Sequence, residues 1–298
     1  MRILVTIPHF FRDAASSEAG AASPDAFGSS QSGRERRLSC LNACLEALHL
    51  AGGAYQYELN HATGVVGGQA VRRASGWQMD VMLAVHGACH LTGAIAPGGP
   101  VQVVHRDDIH PKLLGFACHE LMAERRGSYD LYVFLEDDLV IGDPDFFTKQ
   151  LWFRETFGPD AGLLQPNRYE VGPKASRIYV DGDLPDRVLR RGLPPGPERL
   201  SASWLNRPLL FERRNNPLSG CFILSADQLN RWVDSPVFRD FDQSFIGTLE
   251  SAQILGPLKL FPVYKPAFAN PTFLEVRHAD ARLSALPTPR RSLAQAIP

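Results

Sequence analysis

The chain has 298 residues, 44% of them hydrophobic and 21% charged, with 25 glycines and 23 prolines. That length and balance suit one large α/β domain or two small ones and exclude a chain that is disordered throughout. A formal net charge of −1 supplies no field for a polyanion, so nucleic acid is not expected as a main partner.

Residues 2–8, RILVTIP, are a β-branched run closed by proline, the pattern of a buried parallel strand. No basic-then-apolar leader precedes it, so a cytoplasmic chain is expected. Residues 10–33 are rich in Ser, Ala and Gly and read as a long loop. From Arg36 the spacing of Leu38, Leu41, Leu45 and Leu48 predicts a helix that stops at Gly52 and Gly53. It carries Cys40 and Cys44, spaced to share a soft metal, although all five cysteines read as reduced core thiols. Residues 55–76, broken by Gly64, Gly67 and Gly68, read as an irregular excursion, and 79–85 and 101–105 as strands. Pro111 opens a helix to about Arg126, with Leu114, Ala117, Cys118 and Leu121 on one face. A strand over 131–135 then runs straight into acid.

Beyond Asp138 the expected elements are a helix over 151–157, a strand over 162–165 and a charged, proline-rich stretch over 171–214 without periodicity. A strand at 221–224, helices at 226–233 and 243–255, the second closed by Gly256 and Pro257, and a last strand at 258–263 follow. No core-forming pattern continues after Asp280. Nowhere do about 18 apolar residues run together without charge or proline, so no integral membrane segment is expected. The alternation of elements predicts an α/β fold with a mostly parallel central sheet and helices on both its faces.

The strongest chemical signal is YVFLEDD at 132–138, a hydrophobic strand ending in three carboxylates. If the strand's alternation continues, Glu136 and Asp138 share a face and Asp137 points the other way. Ligands of parallel α/β sheets bind beyond the carboxyl ends of strands, and two hard oxygen ligands beside open positions suit Mg2+ or Mn2+ holding a diphosphate. Turn chemistry is the plainer explanation, since Gly142, Asp143 and Pro144 follow. Three acids directly behind an apolar strand, however, repel one another without a cation.

The segment from Tyr129 and Asp130 through FLEDD resembles the Asp-x-Asp region of GT-A glycosyltransferases, with glutamate in the first acidic position. The resemblance implies a GT-A-like domain over 1–280, with a Rossmann-like nucleotide-sugar half at 1–138, an acceptor half at 139–280 and a flexible tail at 281–298. It assigns the metal, Mn2+ or Mg2+, to Asp138, with Glu136 on the metal or the donor ribose and Asp137 among the nucleotide-sugar contacts. It also implies a nucleoside diphosphate sugar as donor, a UDP-sugar in first place. The acceptor is an unidentified glycan, lipid-linked compound or small molecule.

SGCFIL at 219–224, followed by Asp242 and Glu250, resembles the acceptor side of such sites, where an acid takes the acceptor proton. Glu250 is the first candidate and Asp242 the second, against the plain reading of either as a solvated helix face. His278 matches the histidine that completes the metal site in several GT-A families, and Arg277 beside it is placed to pair with the diphosphate. Pro8, His9 and Phe10 end the first strand, where the base and ribose lie in such enzymes. Arg34, Arg36 and Arg37 at the helix start are candidates to reach phosphate, Arg37 ahead of Arg34, against the plain reading of loop decoration. Asp107 follows a strand and is a further nucleotide contact, while Asp108 is placed to cap the helix from Pro111.

A sugar-phosphate nucleotidyltransferase shares such a core, but IPHFFRDAASS lacks the glycine-rich loop and basic residue after the first strand. No G-x-x-x-x-G-K-[ST] loop occurs either. From a different class, a sugar-nucleotide binding protein without turnover fits the same residues.

Overall fold

The computed structural model describes residues 1–12, 33–52, 55–70, 77–96, 98–185, 194–281 and 283. Most of the expected 10–33 loop and of the 281–298 tail lies outside these residues. In chain order come β1 (Arg2–Pro8), α1 (Arg34–Gly52), β2 (Tyr55–Asn60), β3 (Val65–Ala70), β4 (Gln78–Val85), β5 (Gln102–His105), α2 (Leu114–Glu124) and β6 (Leu131–Leu135). Next are β7 (Leu139–Val140), α3 (Phe146–Phe157), β8 (Leu163–Leu164), β9 (Asn167–Val171), β10 (Arg177–Tyr179), β11 (Arg199–Trp204) and β12 (Arg207–Arg213). The last are β13 (Cys221–Ser225), α4 (Ala226–Val233), α5 (Thr248–Leu258), β14 (Val263–Pro266) and β15 (Glu275–His278).

The central sheet has the order β13-β6-β1-β4-β5. Its pairings from β6 to β5 are parallel, while β13 enters antiparallel to β6. Strict alternation divides β6 between two cores, as sheet geometry requires. Leu131, Val133 and Leu135 pack with Leu41, Cys44, Leu45 and Leu48 of α1, and Tyr132 and Phe134 with α2, α4 and α5. On the second face Phe134 and Phe222 stack at 5.4 Å and 9°, with Trp232 edge-on to Phe222. Gly115 brings α2 against α5, because a Cβ there would lie 2.6 Å from that of Ala252.

A mostly parallel, Rossmann-like sheet with helices on both faces is not what the chain builds. Two further four-stranded sheets, β10-β9-β15-β7 and β11-β12-β14-β8, are mixed, and β2-β3 is an antiparallel hairpin. Among the described residues, antiparallel pairings join β13 to β6, β10 to β9, β15 to β7, β11 to β12, β12 to β14 and β2 to β3. The first face of the central sheet is closed by α1 only in part. Phe146, Phe147 and Phe153 of α3, Phe211 of β12, Tyr264 of β14 and Val276 of β15 complete that core.

The error has a physical source. Continuous apolar runs identify parallel strands buried on both faces, whereas β11 alternates exposed and half-buried positions along its whole length and β9 and β15 alternate in part. The stretch 171–214 therefore read as loop although it contains β10, β11 and β12, and 55–76 read as irregular although it contains the hairpin. The expected helix over 243–255 begins at Thr248 and keeps Pro257 in its last turn. The expected strand over 258–263 gives way to β14, with β15 beyond it. No helix among the described residues is long and apolar enough to cross a membrane.

Truncating the stacked ring in Phe222→Ala is expected to cost about 3–5 kcal/mol of stability, measured by urea denaturation. A loss below about 1 kcal/mol would show that the aromatic layer does not carry this face.

Candidate functional site

The acids do not extend β6. The strand ends at Leu135, and Glu136 accepts the Leu139 N–H (3.3 Å) across a turn that leads into β7. Alternation along a strand is thus not what sorts the three carboxylates. Each is sorted by the partners it meets.

Asp137 is buried and saturated. Arg37 on α1 donates from Nη2 to both its oxygens, at 2.8 and 2.6 Å, and His9 Nδ1 lies 2.6 Å from Oδ2. His9 Nε2 accepts the Leu91 N–H (3.1 Å), which puts the ring proton on Nδ1, facing Asp137. Burial raises the Asp137 pKa, but the Arg37 charge and the His9 contacts outweigh it and hold the carboxyl below its ordinary value. His9 is fully buried with both ring nitrogens engaged, so it serves this network and is closed to a nucleotide base. Pro8 is buried in β1, and of the three residues at that strand end only Phe10 keeps partial exposure.

Asp138 touches the edge of this network through Arg37 and meets a second partner of its own. Its Oδ2 lies 3.3 Å from His278 Nε2 and 3.7 Å from Arg37 Nη1, and its Oδ1 is buried without a hydrogen-bond partner among the described residues. His278 ends β15, paired with Leu139 of β7, which seats it beside the acid turn. Its Nδ1 lies 2.6 Å from Oε1 of the fully buried Glu170. Burial works against the imidazolium, but contact with Asp138 and Glu170 prevails and lifts the His278 pKa to about 9.

Glu136 takes a third environment. Its Oε2 lies 3.3 Å from Arg168 Nη1, and Arg168 is shared with Asp181 at 2.7 Å. The buried Lys265 closes the chain, 3.4 Å from Asp181 and bonded to the Leu218 carbonyl. Burial pushes the Glu136 carboxyl up; Arg168 and His278 oppose this, while the charges of Asp138 and Glu250 add to it.

The helix that carries Glu250 is tied to the acid turn through a neighbouring residue. Gln253, one turn further along α5, sits with its amide against the N–H groups of Ser219 and Gly220, and these require its oxygen to face them as acceptor (2.7 Å from Ser219 N). Gly220 in turn accepts the Glu136 N–H at 2.9 Å. Gly220 adopts φ 75°, and a Cβ there would run into Leu139 and Glu136, so the glycine of the SGC segment is required for this approach.

Other residues singled out in the sequence fall elsewhere. Asp242 is bonded to Lys259 Nζ (2.7 Å) and the Ser244 N–H (2.9 Å); burial opposes its ionisation, but these bonds hold its pKa low, which leaves a poor proton acceptor. Arg277 alternates with His278 along β15 and points outward, into a surface groove with Ala47 and Leu50 of α1 and Pro144. Asp107 is exposed and accepts the Gly87 N–H (2.6 Å), and Asp108 pairs with Arg106 while His110 caps the turn at Pro111. Arg36 pairs with Asp280 instead of reaching toward the acids. Cys40 and Cys44 are buried with raised pKa values, chiefly from burial, and behave as core thiols.

Sequence reasoning missed Arg168, Glu170, Asp181 and Lys265. The first two stand two apart in NRYEV with Tyr169 between them, a charged pair on one face of a strand. Period-two placement of charge was the available signal.

No family model matches the chain, and no curated protein matches it. Among solved structures it is similar to a mycobacterial protein, at 13% identity and a TM-score of 0.40, covering 98% of this chain and 69% of that one. It is also similar to A197 from STIV, at 12% identity and a TM-score of 0.31, covering 63% and 81%. Likenesses this distant carry no argument about function.

Two measurements follow from the geometry. Arg37→Met leaves Asp137 buried with a single donor and is expected to cost about 3–5 kcal/mol in urea denaturation. Asp137→Asn should then cost less in that background than alone, and equal costs would show that the two do not act together.

His278 gains its proton affinity on folding, so its contribution to stability is complete below the unfolded value of about 6.5 and is lost as pH rises through about 9. The melting temperature of metal-free protein is expected to fall across that window more steeply than that of His278→Gln. Parallel curves would show that His278 does not titrate there.

Proposed function

We propose that this chain is a glycosyltransferase that moves a sugar from a nucleoside diphosphate sugar, a UDP-sugar in first place, to an acceptor hydroxyl with the assistance of Mn2+ or Mg2+. The observation that carries this reading is the meeting of Asp138 and His278 at the carboxyl end of a parallel strand. Asp138 Oδ1 is buried without a partner among the described residues, and His278 turns its Nε2 toward Asp138. A buried carboxylate oxygen without a donor is costly unless something supplies positive charge to it.

Carboxylate and imidazole together suit Mn2+ well and Mg2+ less well. No group of three or more His, Cys, Asp or Glu among the described residues is arranged to hold a metal by itself. Asp138 and His278 would hold the ion with diphosphate and water oxygens completing the shell, as is usual for cations bound through substrate phosphates. The ion's contribution is to offset the charge that grows on the departing diphosphate.

The chain's own residues divide the remaining work. Glu250, in the first turn of α5, accepts the proton of the acceptor hydroxyl as that oxygen attacks the anomeric carbon. Glu136, held by Arg168, lines the same region and serves the donor ribose or sugar through hydrogen bonds. Asp137 and His9 touch no substrate; they fix the turn from which Asp138 and Glu136 project.

The decisive experiment is calorimetry with UDP in excess Mn2+ and in EDTA, followed by a donor screen that reads free UDP. Binding is expected only with the ion, and lost in Asp138→Asn and in His278→Ala. Glu250→Gln is expected to keep UDP affinity and lower turnover about 10²–10⁴-fold. Equal UDP affinity with and without metal sinks the metal-assisted reading, and donor binding with no release of UDP from any donor makes the chain a binding protein.

A further inference from the structure

Glu170 lies on β9 two residues beyond Arg168, and it is fully buried. A carboxylate closed to water is costly unless donors satisfy it, and a single oxygen, Oε1, takes two of them. One is Nδ1 of His278 at 2.6 Å; the other is the backbone N–H of Leu283 at 3.0 Å. Both of these donors belong to one short stretch of chain. Within it, Ala279 donates its N–H to the Asp138 carbonyl (2.8 Å), and the buried Asp280 pairs with Arg36 on α1. Ala281 then turns through the left-handed region at φ 46°, a conformation unfavourable for alanine that persists where contacts on either side impose it. After β15, Ala279 is thus tied to the acid turn, Asp280 to α1, and Leu283 to the oxygen that holds His278.

We propose that Glu170 is a positioning residue for His278, and that by sharing one oxygen between the imidazole and Leu283 it makes the orientation of that ring depend on the strap formed after β15. The inference rests on the reading of Asp138 and His278 as cation ligands. With the proton fixed on Nδ1 by Glu170, Nε2 is the nitrogen left facing Asp138, and a flipped ring would forfeit the bond to the carboxylate. The strap adds the backbone: Ala279 ties it to Asp138, Arg36 to α1 and Leu283 to Glu170, so acid turn and histidine are held in one arrangement before any ion arrives.

The test has one readout without metal and one with it. In metal-free protein labelled with 15N-histidine, the Nδ1–H of His278, assigned by its absence from His278→Ala, is expected to exchange slowly. The signal should survive in Glu170→Gln, whose amide oxygen still accepts, and vanish in Glu170→Met, which has similar bulk and no acceptor. Mn2+ affinity by calorimetry is expected to fall about 10–100-fold in Glu170→Met and in the same direction in Leu283→Pro, which removes only the second donor. If circular dichroism shows Glu170→Met unfolded, Glu170→Asp, which retracts the carboxylate, takes its place with the same expectations. An unchanged Nδ1–H signal, or unchanged Mn2+ affinity in either variant, overturns the proposal. Wild-type protein that binds no Mn2+ even with UDP overturns the cation reading instead, and the Nδ1–H comparison alone then decides whether Glu170 orients His278.

Discussion

A carboxylate removed from water must recover its solvation from protein donors or return its proton. Asp137 meets that requirement with two hydrogen bonds from Arg37 and one from His9, and His9 is itself oriented by the Leu91 backbone. Four separate pieces of chain converge there: the end of β1, the start of α1, the segment after β4 and the turn after β6. Saturating the middle acid leaves its neighbours free for other partners. Glu136 turns to Arg168, and Asp138 turns to His278. The arrangement of the acid turn follows from the one acid whose partners are complete.

The two kinds of sheet have different duties. Parallel strands of the central sheet bring the acid turn and the end of β1 to one edge, and the antiparallel entry of β13 places Gly220 beneath Glu136. The mixed sheet of β10, β9, β15 and β7 supplies the counter-charges. Arg168 and Glu170 on β9 and His278 on β15 all project from the buried face, while Tyr169 and Arg277 project from the other. Neither sheet is a complete site. The acids alone repel, and the basic groups alone would be buried without compensation; each set is tolerable in the interior because the other is there.

Composition, hydrophobic pattern and turn residues placed individual elements but not the fold class: β1, α1, β4, α2, β6, β13 and α4 lie where apolar runs and helical spacing put them, with α4 over the predicted residues. The acid turn was legible for the same reason, since three carboxylates behind LYVFL have no part in a core. Asp138, Glu136, Arg37 and His278 could be singled out and lie together, with Arg37 and His278 both against Asp138 and Glu136 beside it in the turn. Half-exposed strands were not legible, because a charged residue at every second position looks like loop until a neighbouring strand covers one side. Arg277 and Asp242 failed on direction and pairing: position in sequence does not say which face of β15 is buried, or that Lys259 waits beside Asp242.

The sequence by itself determined that strands and helices alternate at the start of the chain and that acids crowd the end of one strand, because period and composition are local properties carried by neighbouring residues. Only the tertiary structure decided what those acids are. Whether a buried carboxylate is saturated, like Asp137, or keeps an oxygen without a partner among the described residues, like Asp138, depends on which donors arrive from residues 9, 37, 168 and 278. Those donors are brought by strand pairings that are antiparallel as well as parallel, and pairing partners far apart in sequence leave no periodic trace in it.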